Sequence, residues 1–307
     1  MLIDTLVDFC DKKYTTLAEK CGNKSCSHPS GKCSGSCYNC LHQIHDNFYD
    51  PRQRKSGEKL LYDCPKMLYH YVCQFSYLYA SEIQHALAEE KDYLKDFPYY
   101  HMLSLGCGAA VDLMALENFC NSEGLKQHIS YFGIDSNNNW NSIQRKIERY
   151  CDENNIGRKF LCDDAIKTLK SKAINNSNII VISYMISYLH NNGQIKGVDN
   201  FIDYLVDNAV LKKKKDQKML IVINDLNTYK KGRTYFSHIS ERIEKKGVKF
   251  LKCKYKYFDT GDLFEGQKIG DPYTGKSCLF DIPEKVKINY HARTDGQKTI
   301  QLIMEVI

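Results

Sequence analysis

Beyond Pro98 the chain alternates short apolar runs with longer polar stretches of helical character, a pattern that few architectures accept. The runs predict strands at His101–Leu105, Tyr131–Ile134, Lys159–Cys162, Asn178–Ser183 and Met219–Ile223. Two later β-rich runs, Lys249–Phe258 and Thr299–Ile307, have no long helical pattern between them and read as an antiparallel pair. The expected fold class is therefore α/β. It is a seven-stranded, mostly parallel sheet with helices on both faces and a C-terminal antiparallel hairpin at one edge.

Ahead of this region lies a helical pattern from Leu60 to about Leu94. Leu61, Met67, Leu68, Tyr71, Val72, Phe75, Leu78, Tyr79 and Ile83 recur at spacings of three, four and seven, and Pro65 suits the first turn. The aromatic stripe reads as a packing face, with a base-stacking surface as the alternative. Earlier still, the 14 cysteines are unevenly spread, with five between Cys21 and Cys40. The expected organisation is a Cys/His-rich metal-binding module at 1–59, a helical linker at 60–97 and the sheet domain at 98–307.

Apolar residues make up 43% of the chain and charged residues 26%, enough for a core. No segment has the roughly 18–20 apolar residues that span a bilayer. The start, MLIDTLVDFCDKKY, has no signal-like apolar stretch. A soluble, cytoplasmic protein without a membrane partner is expected. The net charge of +6 is compatible with RNA or another polyanion. The basic run Lys212–Lys215, followed by Asp216 and Lys218, reads as a solvated loop.

The first strand ends in LSLGCGAAVDL, Leu103 to Leu113. Glycines closing a strand and opening a helix bring backbone amides to a ligand at the strand's carboxyl end. The second strand ends YFGID, so Asp135 stands at its tip and can accept both ribose hydroxyls of a nucleoside. The third run, KFLCDDA, ends in Asp163 and Asp164, within reach of an adenine amine; the fourth, NIIVISY, ends at Ser183 and Tyr184. The glycines lack the G-x-G-x-x-G spacing that seats a pyrophosphate, which argues against a dinucleotide.

At these residues the sequence resembles the class I, Rossmann-like S-adenosylmethionine-dependent methyltransferases, from about Tyr100 to Ile307. The resemblance implies that Gly106, Cys107 and Gly108, with Leu105 beside them, flank the methionine part of the cofactor. It implies that Asp135, with Ser136, holds the ribose, and that Asp163, Asp164 and Ala165 meet the adenine. Ser183 and Tyr184 would sit near the transferred methyl. Two departures stand out: Ser104 where the family often has an acid, and Ala110 where it has a third glycine. Asp112 is the residue expected to compensate for Ser104.

Methyl transfer from a sulfonium is an in-line displacement in which alignment does much of the work. Candidate catalytic residues are Tyr184, Ser183 and His190, the last as a base. The fourth strand ends ISYMISY, without the prolines of enzymes that methylate exocyclic amines of bases. Asp225 either orients an acceptor or caps the following helix. RNA is the expected acceptor class, with small molecules and protein side chains open. A methyltransferase fold without activity, kept as a binding scaffold, is the alternative.

The segment CGNKSCSHPSGKCSGSCYNCLHQIH holds eight candidate metal donors. Cys21, Cys26, His28, Cys33, Cys37 and Cys40 form the expected ligand pool for zinc, with Cys37 and Cys40 as a C-x₂-C pair. The C-x₃-C-x₂-C spacing of Cys33, Cys37 and Cys40 also resembles radical S-adenosylmethionine enzymes, which makes an iron–sulfur cluster the alternative.

Overall fold

A computed structural model describes residues 1–17, 36–49, 62, 64–227, 232–259, 261, 263, 265–295 and 298–307. Four helices come first: α1 (Leu2–Thr16), α2 (Cys37–Tyr49), α3 (Pro65–Glu89) and α4 (Lys91–Lys95). Pro65 occupies the first turn of α3, where its missing N–H costs nothing. Alternation then follows: β1 (Tyr100–Leu105), α5 (Val111–Glu123), β2 (Ile129–Asp135), α6 (Asn141–Glu153), β3 (Gly157–Cys162), α7 (Ala165–Ser171) and β4 (Ile179–Ser183). Next come α8 (Met185–Asn191), α9 (Ile195–Asn208), β5 (Met219–Leu226), α10 (Phe236–Lys245), β6 (Phe250–Phe258), β7 (Asp271–Tyr273), α11 (Glu284–Tyr290) and β8 (Thr299–Val306).

The strands lie in the order β3-β2-β1-β4-β5-β8-β6-β7. The five from β1 to β5 run parallel, and β8 inserts antiparallel between β5 and β6. The expected C-terminal antiparallel pair is thus β6 with β8. The sheet has eight strands where the sequence predicts seven. The eighth, β7, is three residues long, too short to show a period, and it carries Pro272, which an edge strand tolerates.

The apolar runs become strands because each buries both of its faces. Along β4, Ile179 and Val181 join one core while Ile180 and Ile182 join the other, and β5 divides Leu220 and Val222 from Ile221 and Ile223 in the same way. Residues of α1, α3, α5, α6 and α11 cover the first face; those of α7, α8, α9 and α10 cover the second. The amino end of α1 is fixed by Glu117 of α5, whose carboxylate accepts the Leu2 amide at 2.8 Å. Helix α3 is buried over most of its length, so most of its aromatic stripe serves packing. Among the described residues, no helix is long and apolar enough to cross a membrane.

Candidate functional site

A cavity of about 470 Å³ opens at the carboxyl ends of β1, β2, β3 and β4, where a doubly wound sheet places its ligands. Its floor is the turn between β1 and α5. Gly106 and Gly108 take left-handed conformations there, with φ of 74° and 48°. The Gly106 and Cys107 amides both donate to the Ile134 carbonyl, at 2.8 and 3.1 Å, which ties the turn to β2. Gly133 gives the turn its room, because a Cβ there would lie 2.8 Å from the Cys107 sulfur.

Asp135 closes that side. Its carboxylate accepts the Gly108 amide at 2.9 Å and the Asn137 amide at 2.8 Å. Burial pushes its carboxyl above the usual range, against those two amides. Two amides use one acceptor position on each oxygen, and a carboxylate offers about four. Ser136, Asn137 and Asn138 continue the wall, and Asn137 donates from its side chain to the Tyr62 carbonyl at 2.7 Å. Asp164 also lines the cavity, followed by Ala165 and Ile166. Its side chain caps α7 by accepting the Lys167 amide at 2.8 Å.

At the end of β4, Ser183 and Tyr184 form the next stretch of wall. Among the described residues, the buried Ser183 hydroxyl oxygen has no hydrogen-bond partner. Tyr184 has φ of 56°, which is rare for a bulky residue and recurs where a site imposes it. Its hydroxyl donates to Glu82 of α3 at 2.6 Å. Opposite stand Tyr71 and Tyr79 of α3 and the single tryptophan, Trp140, whose indole lies 3.5 Å from where a Gly108 Cβ would be.

Several predicted residues stand elsewhere. Leu105 lies in the sheet core and Cys107 beneath the turn, both outside the cavity wall. Asp163 accepts the Asp164 amide and pairs with Lys167 at 3.8 Å, away from the wall. Asp112 does not face the cavity in place of Ser104. Helix α5 starts at Val111, so Asp112 points inward, accepting the Tyr131 hydroxyl at 2.9 Å and the Leu113 amide at 3.0 Å. Burial raises its carboxyl against hydrogen bonds from Ser104 and Tyr131. His190 lies on the far side of α8, with Nδ1 2.9 Å from the Tyr235 hydroxyl.

Cys21, Cys26, His28 and Cys33 lie outside the described residues. Cys37 and Cys40 are buried one turn apart on α2, packed with Phe75, Tyr79 and Leu226. Among the described residues, no three His, Cys, Asp or Glu side chains are grouped as a metal site.

The sequence reading missed Trp140, Asn137, Tyr188 and Glu82. Trp140 carries a signal, as the chain's one indole just after the acidic strand tip. Glu82 carries another, since it is a carboxylate seven residues from Phe75 on an otherwise apolar stripe.

Asp225 does cap a helix, though not the one that follows it. Its Oδ2 accepts the Ile186 and Ser187 amides, each at 3.1 Å, at the start of α8, and its Oδ1 accepts the Leu226 amide at 2.7 Å. Gly232 packs so closely that a Cβ there would meet this carboxylate at 2.4 Å.

No protein-family model matches the sequence, and no curated protein matches it. Among solved structures, the chain is similar to a SAM-dependent methyltransferase from Archaeoglobus fulgidus, at 18% identity over 74% of this chain and 94% of that one, with a TM-score of 0.39. It is similar to a putative class I S-adenosylmethionine-dependent methyltransferase from Listeria monocytogenes, at 11% identity over 99% and 87%, with a TM-score of 0.48. A magnesium protoporphyrin IX methyltransferase from Synechocystis, solved with SAM bound, matches at 10% identity over 88% and 96%, with a TM-score of 0.38.

Burial pushes Asp225 up to about 6, against its amide and Ser187 hydrogen bonds. An unfolded aspartate titrates near about 3.9, so the folded chain holds the extra proton between those values. Stability from this group is complete below about pH 4 and is lost as pH rises through about 6. Asp225→Asn is expected to flatten that fall, read as the difference between urea midpoints at about pH 4 and pH 7. An identical fall in variant and wild type would remove Asp225 as its source.

Proposed function

We propose that this chain is an S-adenosylmethionine-dependent methyltransferase whose cofactor occupies the cavity at the carboxyl ends of β1 to β4. The observation that carries the reading is Asp135. It stands at the tip of β2, is locked to the glycine turn through the Gly108 amide, and keeps acceptor capacity beside the cavity. The residues fit the group. Asp135 takes ribose hydroxyls, Gly106 and Gly108 leave room for the methionine chain, and Ile134 and Ile166 offer apolar surface to an adenine. Ser183 and Tyr184 line the same space. When bound, the cofactor supplies an electrophilic methyl. The protein's own part is to fix both partners in line and exclude water. Asp163, Asp112 and His190 play no direct part in this reading, and Ser183 and Tyr184 are the catalytic candidates that stand at the wall.

Calorimetric titration of S-adenosylhomocysteine, with Trp140 fluorescence as a parallel readout, tests the cofactor site. The wild type is expected to bind, and Asp135→Ala to weaken binding about 10- to 100-fold, since hydrogen bonds to a charged group contribute about 1.5–3 kcal/mol. A ligand-free wild type that fails to bind would sink the reading.

For the acceptor we propose RNA, which the net charge of +6 supports. The run at Lys212–Lys215 does not contribute, because it precedes β5 and so lies at the end of the sheet away from the cavity. Label from a tritiated methyl donor should enter RNA of a whole-cell extract; label confined to protein or small molecules would exclude RNA.

For the N-terminal segment we carry zinc, with an iron–sulfur cluster as the alternative. The support is donor spacing, with Cys37 and Cys40 as the C-x₂-C pair. Elemental analysis of the purified chain should give about one zinc per molecule. Stoichiometric iron and sulfide would favour the cluster, and neither metal would end the proposal.

A further inference from the structure

Glu82 is buried completely, yet it sits one residue away from the cavity wall. Its Oε2 accepts the Tyr184 hydroxyl at 2.6 Å and the Asn224 side-chain amide at 2.8 Å, and its Oε1 accepts the Thr299 hydroxyl at 3.1 Å. The network continues. Gln301 donates to the Glu82 carbonyl at 2.7 Å and to the Asn224 side chain at 3.1 Å, and Tyr273 donates to Gln301 at 2.6 Å. One carboxylate therefore ties α3 to β4, β5 and β8.

Among the described residues no cation pairs with Glu82, so its charge is held by neutral donors alone. Burial pushes its carboxyl up to about 7 against those donors. An apolar residue would fill such a position at less cost, so the carboxylate calls for an explanation beyond packing. Tyr184 supplies one. Its left-handed backbone is unfavourable for a residue with a side chain, and persists only where neighbours over-determine it. Among the described residues, its amide donates to the Asn224 carbonyl at 2.8 Å, its carbonyl accepts the Tyr188 amide at 3.2 Å, and its hydroxyl donates to Glu82. The Tyr184 ring then packs 4.9 Å from that of Tyr79, and both form cavity wall.

We propose that Glu82 is a positioning residue for the cavity: its carboxylate holds the Tyr184 hydroxyl, and with it the left-handed turn that sets the wall where β4 ends. The inference rests on reading the cavity as the cofactor site. Calorimetric titration of S-adenosylhomocysteine into wild type, Glu82→Gln, Tyr184→Phe and the double variant tests it, with a thermal melt of each. Each single change should weaken binding about tenfold. The double should be no weaker than the worse single, because both act on one contact: Gln keeps it only as a weaker neutral acceptor, and Phe removes it. A solely structural role would lower the melting temperature with affinity unchanged, or give losses that multiply, and either result overturns the proposal. If Glu82→Gln does not fold, Tyr184→Phe decides alone, and wild-type affinity there overturns it. A wild type that binds and an Asp135→Ala that does not, with Glu82→Gln unaffected, would overturn this inference while leaving the cofactor site standing. No binding by the wild type would overturn both.

Discussion

Helix α3 has almost no solvent face: 19 of its 25 residues are buried, and everything around it follows from that. A helix apolar all round must be enclosed all round. On its inner side it packs against α5 and the sheet; on its outer side α1, α2 and α11 complete the enclosure. Polar groups caught inside then need partners. Ser81 donates to the Tyr77 carbonyl at 2.7 Å and accepts the Leu279 amide at 2.8 Å, which pins the segment ahead of α11 across the helix. Asp11 of α1 accepts the Tyr290 hydroxyl and Lys285, each at 2.6 Å, pinning α11 itself. The same enclosure brings Tyr71, Tyr79 and Glu82 to the cavity, so the helix shapes the site without belonging to the α/β alternation.

Buried carboxylates around the cavity are satisfied by amides and hydroxyls rather than by cations. Asp135, Asp112, Asp225 and Glu82 each accept two or more such donors, and burial raises the carboxyl of every one. Donors fixed by backbone or by packed side chains set direction as well as charge, which suits groups that define a turn, a helix start or a ring position. The chain treats acids differently at the other end of α3. There Lys252 and Lys254 of β6 pair with Glu305 and Glu90, at 3.0 and 2.6 Å, closing the sheet edge with charge.

The sheet was legible because its strands are buried on both faces, which leaves unbroken apolar runs such as that of β4. Acids at strand tips were legible for a related reason: Asp135 and Asp164 end runs that could not otherwise tolerate charge. Side-chain direction was not legible. Asp112 lies three residues from Ala109 in sequence, yet the first turn of α5 rotates it into the core, and α8 likewise turns His190 toward Tyr235. Glu82 shows in sequence as a carboxylate on an apolar stripe, but what it holds was hidden because its partners are 102 to 217 residues away. Strand β7 was hidden because it is held by tertiary pairing rather than by its own pattern.

The glycine turn has a cavity side and a core side. Three residues there are left-handed, Gly106, Gly108 and Ala110, yet one of them carries a methyl. Left-handed backbone costs a residue with a Cβ roughly 1–2 kcal/mol. At Ala110 the methyl is fully buried in the core beneath α5, and burying one such group returns about 0.8 kcal/mol. The burial offsets part of that cost, so alanine is tolerated at this left-handed position. At Gly106 and Gly108 no such return exists. A Cβ there would project to the cavity side, 3.5 Å from Met185 and from Trp140, occupying the cradle itself. Glycine therefore stands where the turn meets the cavity, and alanine where it meets the core.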